Sequence, residues 1–301
     1  MRKKKVNRFL NQIDDEVRTW PTEAVARQNL QYLLADFDKC NREYWAGMHK
    51  LAKIFHESGV RFATIKSIRS YPYVDSNIDI IVSRKDWRRL SAAVTRQTWR
   101  KPNLKEFVEQ TLIEPFKLKY KSVDSDLPAA HFYGGVRWRY VAPLKLDRIN
   151  PAWIWRALPQ QYADPENPEV SSKILVPTEE LDMVIQAAHV TMENYRLTIG
   201  ELVHISETLK NPGFDQARME TIAKELGLSY CLKSICHLAT NQFANGRTPE
   251  LEYRPMRIPF GIIAKSHLHY GVATGFTGFL RAMASLMWYP VMRLGRKILG
   301  R

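Results

Sequence analysis

The chain has 301 residues, 45% hydrophobic and 25% charged, with no internal repeat or low-complexity segment; this is enough to bury a substantial core and excludes a disordered or fibrous chain. Its formal net charge is +14, yet five of those positive charges fall in residues 1–8 and eight in residues 253–301, where no acid occurs, leaving one for residues 9–252. A nucleic-acid-binding domain usually spreads a basic face through its fold, whereas basic ends beside apolar sequence suit an anionic membrane.

Three cysteines, Cys40, Cys231 and Cys236, fit neither a disulfide framework nor a metal knuckle, and their simplest reading is a reducing compartment. The amino terminus starts as a basic segment, 1–21, but residues 6–26 lack the apolar core of a signal peptide. Thr22 as N-cap and Glu23 in the first turn open a helix. Its apolar residues, from Leu30, Leu33, Leu34 and Phe37 to Tyr44, Met48, Leu51 and Phe55, recur at helical spacing until Gly59. One long helix, or two with a bend near Gly47, fits this pattern.

A short apolar strand, Phe62 to Ile65, ends at Lys66-Ser67, and a connector carrying Tyr71-Pro72 leads to a second strand, Ile78 to Val82. Asp79 sits inside that second strand, where a carboxylate is costly to bury. It is kept either for binding or because Lys66, Arg69 or a backbone amide pairs with it. Ser83 and Asp86 make a capping box before a helix carrying Leu90, Ala93 and Val94. Glu114 to Tyr120 alternates as a half-buried strand, and Ala129 to Val141 reads as a strand pair broken at Gly134-Gly135. Within the pair, His131, Arg137 and Arg139 share a face if pairing is regular, and the two arginines are either solvated or meet an anion.

An irregular connector over 147–168, bearing Trp153 and Trp155, marks a domain boundary, so that residues 22–150 form one domain and 151–250 a helical second one. In that half Thr178 caps a helix with Leu181, Val184, Ile185 and Ala188 on its inner face. Thr198 and Glu201 form another capping box, Asn211-Pro212-Gly213 stops that helix, and Gly227 and Gly246 end two more. His189 and His237 read as hydrogen-bonded core or interface residues, and the remaining histidines have no metal-site spacing. In the tail, 251–301, the run from Tyr270 to Met292 has only Arg281 charged. It is long enough to cross a bilayer, although a central arginine costs about 2.5–3.5 kcal/mol there. Three readings stand for it: a membrane-surface or re-entrant anchor, a span, or an element docked on the protein itself.

The order of these motifs resembles the signature of nucleotidyltransferase-fold proteins, in the uncharacterised branch whose first motif reads Lys-Gly and whose second reads Asp-hydrophobic-Asp. Lys66-Ser67 stands at the first motif and Asn77-Ile78-Asp79-Ile80 at the second, nine residues apart. Trp87, His131, Trp138, Asp147, Trp155, His189 and the run Thr198 to Leu202 fit the same layout, which covers residues 45–245. With the hydrophobic basic C-terminal segment read above, the resemblance makes the expected chain an α+β protein: a small mixed-sheet nucleotidyltransferase-like domain, then a helical domain, then that segment.

It also implies metal-dependent transfer of a nucleotidyl group to an unknown acceptor. Asp79 with Asn77 would hold Mg2+, Lys66 would act with them, and Lys66, Ser67, Arg137 and Arg139 would hold the phosphates of a nucleoside triphosphate. In this chemistry carboxylates at i and i+2 of a strand share divalent metal, which stabilises charge at the α-phosphate. The chain departs from the pattern where Asn77 replaces the first acid, Ser67 the glycine, and His131 a later acid unless Asp124 or Asp126 reaches in. The leading expectation is a nucleotidyltransferase-like protein, active or degenerate, in the cytoplasm and peripheral at the inner face of an anionic membrane. The alternative is a nucleotide-binding or assembly protein that has lost transfer. A nucleic-acid-binding protein ranks third, since it needs both basic ends on one side.

Overall fold

The computed structural model describes residues 23–69, 77–82, 99–100, 118–122, 129–133, 155–244 and 256–276, with shorter runs within 86–104 and 278–290. The chain is α+β. A single helix α1 (Glu23–Glu57) leads into the sheet without a break at Gly47. Gly59, at φ 62°, ends it in the left-handed conformation that glycine adopts at little cost. Strands β1 (Phe62–Ile65), β2 (Asn77–Val82), β3 (Trp99–Arg100), β4 (Leu118–Ser122), β5 (Ala129–Tyr133), β6 (Trp155–Ala157) and β7 (Leu175–Pro177) form one sheet of order β3-β4-β5-β2-β1-β7-β6.

The sheet is mixed. β1 and β2 are antiparallel, with Ile65 opposite Asp79, while β2 runs parallel to β5, with Asp79 beside His131. β7 runs parallel to β1 on the other side, and β6 closes that edge antiparallel. Both central strands are buried on two faces, which is why they read as near-continuous apolar runs. Phe62, Ile78, Ile80 and Val82 pack with Met48, Leu51 and Phe55 of α1. Ala63, Ile65 and Ile81 point the opposite way, into a second core built by the later helices. By the two-residue strand period, Asn77 and Asp79 share that second face.

The strand expected from Glu114 is described only from Leu118, and the pair expected over 129–141 only as β5; Arg137, Arg139, Asp124, Asp126 and the Ser83 cap lie outside the described residues. Beyond residue 150 the chain is not purely helical, because β6 and β7 join the sheet. After them a short helix α2 (Pro168–Ser171) having preceded β7, come α3 (Glu179–His189), a π-helical turn (Val190–Asn194) and β8 (Arg196–Leu197). The chain then forms α4 (Ile199–Lys210), α5 (Gln216–Glu225), α6 (Ser229–Ala244), β9 (Met256–Arg257) and α7 (Phe260–Ala273). Thr178 accepts a hydrogen bond from the Leu181 amide, and Thr198 with Glu201 closes a reciprocal capping box, so both caps sit where the sequence places them.

α7 stops at Thr274 and Gly275, the glycine at φ 79°, and further helical residues follow to Met287. Among the described residues no helix is long and apolar enough to cross a membrane. The segment has two sides: Ile263, Tyr270 and Ala282 are in the core, while Leu268, Val272, Phe276 and Leu280 are exposed.

Candidate functional site

β1 ends at Ile65, and Lys66 then takes a left-handed conformation at φ 62°, a state that costs a non-glycine residue roughly 1–2 kcal/mol. Lys66 makes a salt bridge to Asp79 Oδ2, with the lysine side chain 6% exposed and the aspartate 2%. The first two motifs are therefore together, as the sequence predicts, and of the alternatives it left for Asp79, pairing with Lys66 is one that is realised. Asn77 is half-buried on the same face two residues away.

Ser67 is equally occupied. Its hydroxyl accepts from Tyr44 Oη at 2.7 Å and lies 2.6 Å from Thr64 Oγ1. Thr64 Oγ1 also reaches the Asp79 carbonyl at 3.1 Å and Ser67 Oγ the Ile65 carbonyl at 3.3 Å, so the two hydroxyls share one network with the backbone. The Ser67 side chain thus ties this turn to α1 and β1.

Magnesium prefers near-octahedral oxygen ligands, chiefly carboxylates and water. Here β2 supplies one carboxylate, already bonded to an ammonium, and one amide; the register places His131 on the neighbouring strand. Among the described residues no three His, Cys, Asp or Glu side chains group as a metal site. The described donors, one carboxylate held by an ammonium and one amide, do not fit the metal that the resemblance implies.

A second polar cluster lies on the same side of the sheet, and the sequence reading missed it. Arg69 Nη1 donates to Asp182 Oδ2 at 2.8 Å, His204 Nε2 lies 3.0 Å from the same oxygen, and the Gln186 amide faces both Arg69 terminal nitrogens, from which its oxygen accepts when the amide is turned to the orientation its neighbours require. Burial pushes the Asp182 carboxyl up, but Arg69 and His204 outweigh it and hold the group below its ordinary value. Asp182 Oδ1 is buried with no partner among the described residues. A cavity of about 180 Å³ opens beside the cluster, between the ends of β1 and β7 and helices α3 and α4, with Lys66, Ser67, Arg69, Arg156, Asp182 and His204 in its wall.

The signal for this cluster was present. Asp182, Gln186, His189 and Glu193 recur at intervals of four, three and four, and all four are buried. A buried polar stripe on a helix otherwise apolar marks partners elsewhere. His189 uses both ring nitrogens, with Glu193 Oε2 at 2.9 Å and Asn194 Nδ2 at 2.8 Å, as expected of a hydrogen-bonded core histidine; His237 is exposed. The three cysteines are free, and burial raises the Cys236 thiol to about 11, too high for a thiolate nucleophile at neutral pH. No family model, curated protein or solved structure matches the chain.

Proposed function

We propose that this chain is a nucleotidyltransferase-like protein that has lost metal-dependent transfer, a binding or assembly protein working at an anionic membrane surface. The observation that carries the reading is the Lys66–Asp79 ion pair. The carboxylate that the family would give to a metal is enclosed in the sheet by its own lysine, with an uncharged amide at Asn77 beside it. Order and pairing of the strands support the fold assignment: β1, the Lys66-Ser67 turn, antiparallel β2 with Asn77 and Asp79, then β5 parallel to β2. The membrane part rests on the exposed apolar residues after Leu268 in a segment without acids.

A pyrophosphate-release assay with each nucleoside triphosphate and Mg2+ or Mn2+ tests the loss of transfer. The expected result is no release above a protein-free control. Metal-dependent release that Asp79→Asn abolishes would establish an active transferase instead.

A further inference from the structure

β8 and β9 form a two-stranded ribbon whose faces differ. Leu197 stands opposite Met256, and Arg196 opposite Arg257. Leu197 belongs to the second core and Met256 packs against it, beside Ile263 and Tyr270 of α7. By the two-residue period both arginines therefore stand on the outer face, and both are exposed. The Ile258 amide donates to the Tyr195 carbonyl at 3.0 Å. Tyr195 and Ile258 are thus a hydrogen-bonded pair of the ladder, and Arg196 and Arg257 a non-hydrogen-bonded one, in which facing Cα atoms come closest, at about 4.5 Å. Like charges directly opposite one another are destabilising. The acids nearest Arg196 in the chain are engaged elsewhere, Glu193 with His189 and Glu201 with the Thr198 cap, and no acid follows Glu252.

An anion held between the two guanidiniums replaces that repulsion with two attractions. Phosphate suits the place, because a guanidinium fork binds its oxygens two at a time. Each fork has several N–H donors, so a neighbour that takes one edge leaves another for the phosphate. A phosphate monoester, at about −1.5 to −2 near neutral pH, matches a pair of guanidiniums better than a singly charged group does. The surroundings point to a lipid as its source. Phe260, three residues past Arg257, is 59% exposed at the start of α7, and Lys265, Leu268 and Val272 continue the exposed side of that helix. Tyr195 stacks on His267 of α7 with ring centroids 6.3 Å apart, which ties the ribbon to the helix. Basic groups beside exposed apolar side chains suit a membrane interface.

We infer that Arg196 and Arg257 form a clasp for the phosphate monoester headgroup of a membrane lipid. The inference rests on the proposed membrane location and adds a headgroup preference that apolar contact and general charge do not supply.

Sedimentation of the full chain with vesicles of phosphatidic acid or phosphatidylserine, each diluted in phosphatidylcholine to the same surface potential, tests this. Phosphatidic acid should bind about fivefold more tightly or better. Arg196→Gln with Arg257→Gln should remove the preference and keep the weaker binding to phosphatidylserine. The melting temperature should not fall, because two exposed like charges are removed. Arg257→Lys is the second variant: it keeps the charge without the fork and should lose most of the preference. Equal binding of the two lipids by the native chain, or a preference that survives either change, would overturn the inference and leave the membrane location standing. Displacement from phosphatidic acid by glycerol 3-phosphate at about 1 mM would overturn it in favour of a free phosphate ester. No sedimentation with either lipid would sink the membrane location, and the clasp with it.

Discussion

Lys66 and Asp79 show how one contact can serve stability while closing a site. Removing one partner of a buried pair leaves an uncompensated charge and costs about 3–5 kcal/mol, whereas replacing both with apolar groups is often neutral. Lys66→Met should therefore lower the stability measured by urea unfolding by about that amount, and Lys66→Met with Asp79→Leu should recover most of it. A second residue sets pH behaviour. His267 lies within the second core, its Nδ1 2.9 Å from the Ile263 carbonyl and its Nε2 without a partner among the described residues. Burial lowers its pKa below 6.5. The unfolded chain thus binds more protons in that window, and the stability from neutral His267 is full above about pH 6.5 and falls as the pH drops through the lowered pKa. Urea midpoints at pH 7.5 and 5.5 should differ more for the native chain than for His267→Phe. Asp79 was legible in the sequence because a lone acid interrupts an apolar strand. Asp182 was legible only as one member of a polar stripe at helical spacing; its partners were not, because Arg69 and His204 are 113 and 22 residues away in the chain.

At the scale of elements, helix ends were the most legible feature. Thr178, Thr198 and Gly59 act through hydrogen bonds and dihedrals within one turn, so their consequences follow from local sequence. Thr198→Ala should cost about 1 kcal/mol, seen as a lower melting temperature. β6 and β7 were not legible: each has three residues, too few to display alternation, and each depends on a neighbour in the sheet. The tail was half legible. Its apolar content was plain, but its division into a core side and an exposed side depends on the break at Gly275 and on Gly271. A Cβ at Gly271 would stand 2.8 Å from Phe279 Cα, so the helical residues after the break dock against α7 only because that position has no side chain. Gly271→Ala should displace the second segment, lower the melting temperature and raise hydrogen exchange over residues 278–287.

For the whole molecule, the two cores on either side of the sheet account for stability, and the exposed face of the tail accounts for the proposed location. Leu268, Val272, Phe276 and Leu280 recur every four residues at 45–77% exposure. Apolar surface of this kind beside basic residues suits the interface of an anionic bilayer, where each nearby basic residue contributes about 1 kcal/mol. The full chain should sediment with phosphatidylserine vesicles and not with neutral ones. Leu268→Ser, Val272→Ser and Phe276→Ser together should return it to the supernatant without unfolding it, and sedimentation unchanged by the triple substitution would place the lipid contact elsewhere.

The proposed loss of transfer rests on Asp79 being held by Lys66 and not by a metal, and Mn2+ binding followed by electron paramagnetic resonance tests it directly. The account predicts that the native chain and Asp79→Asn bind Mn2+ equally weakly, because position 79 is no part of a metal site in either. A single Mn2+ bound by the native chain at micromolar concentrations and lost in folded Asp79→Asn would contradict it.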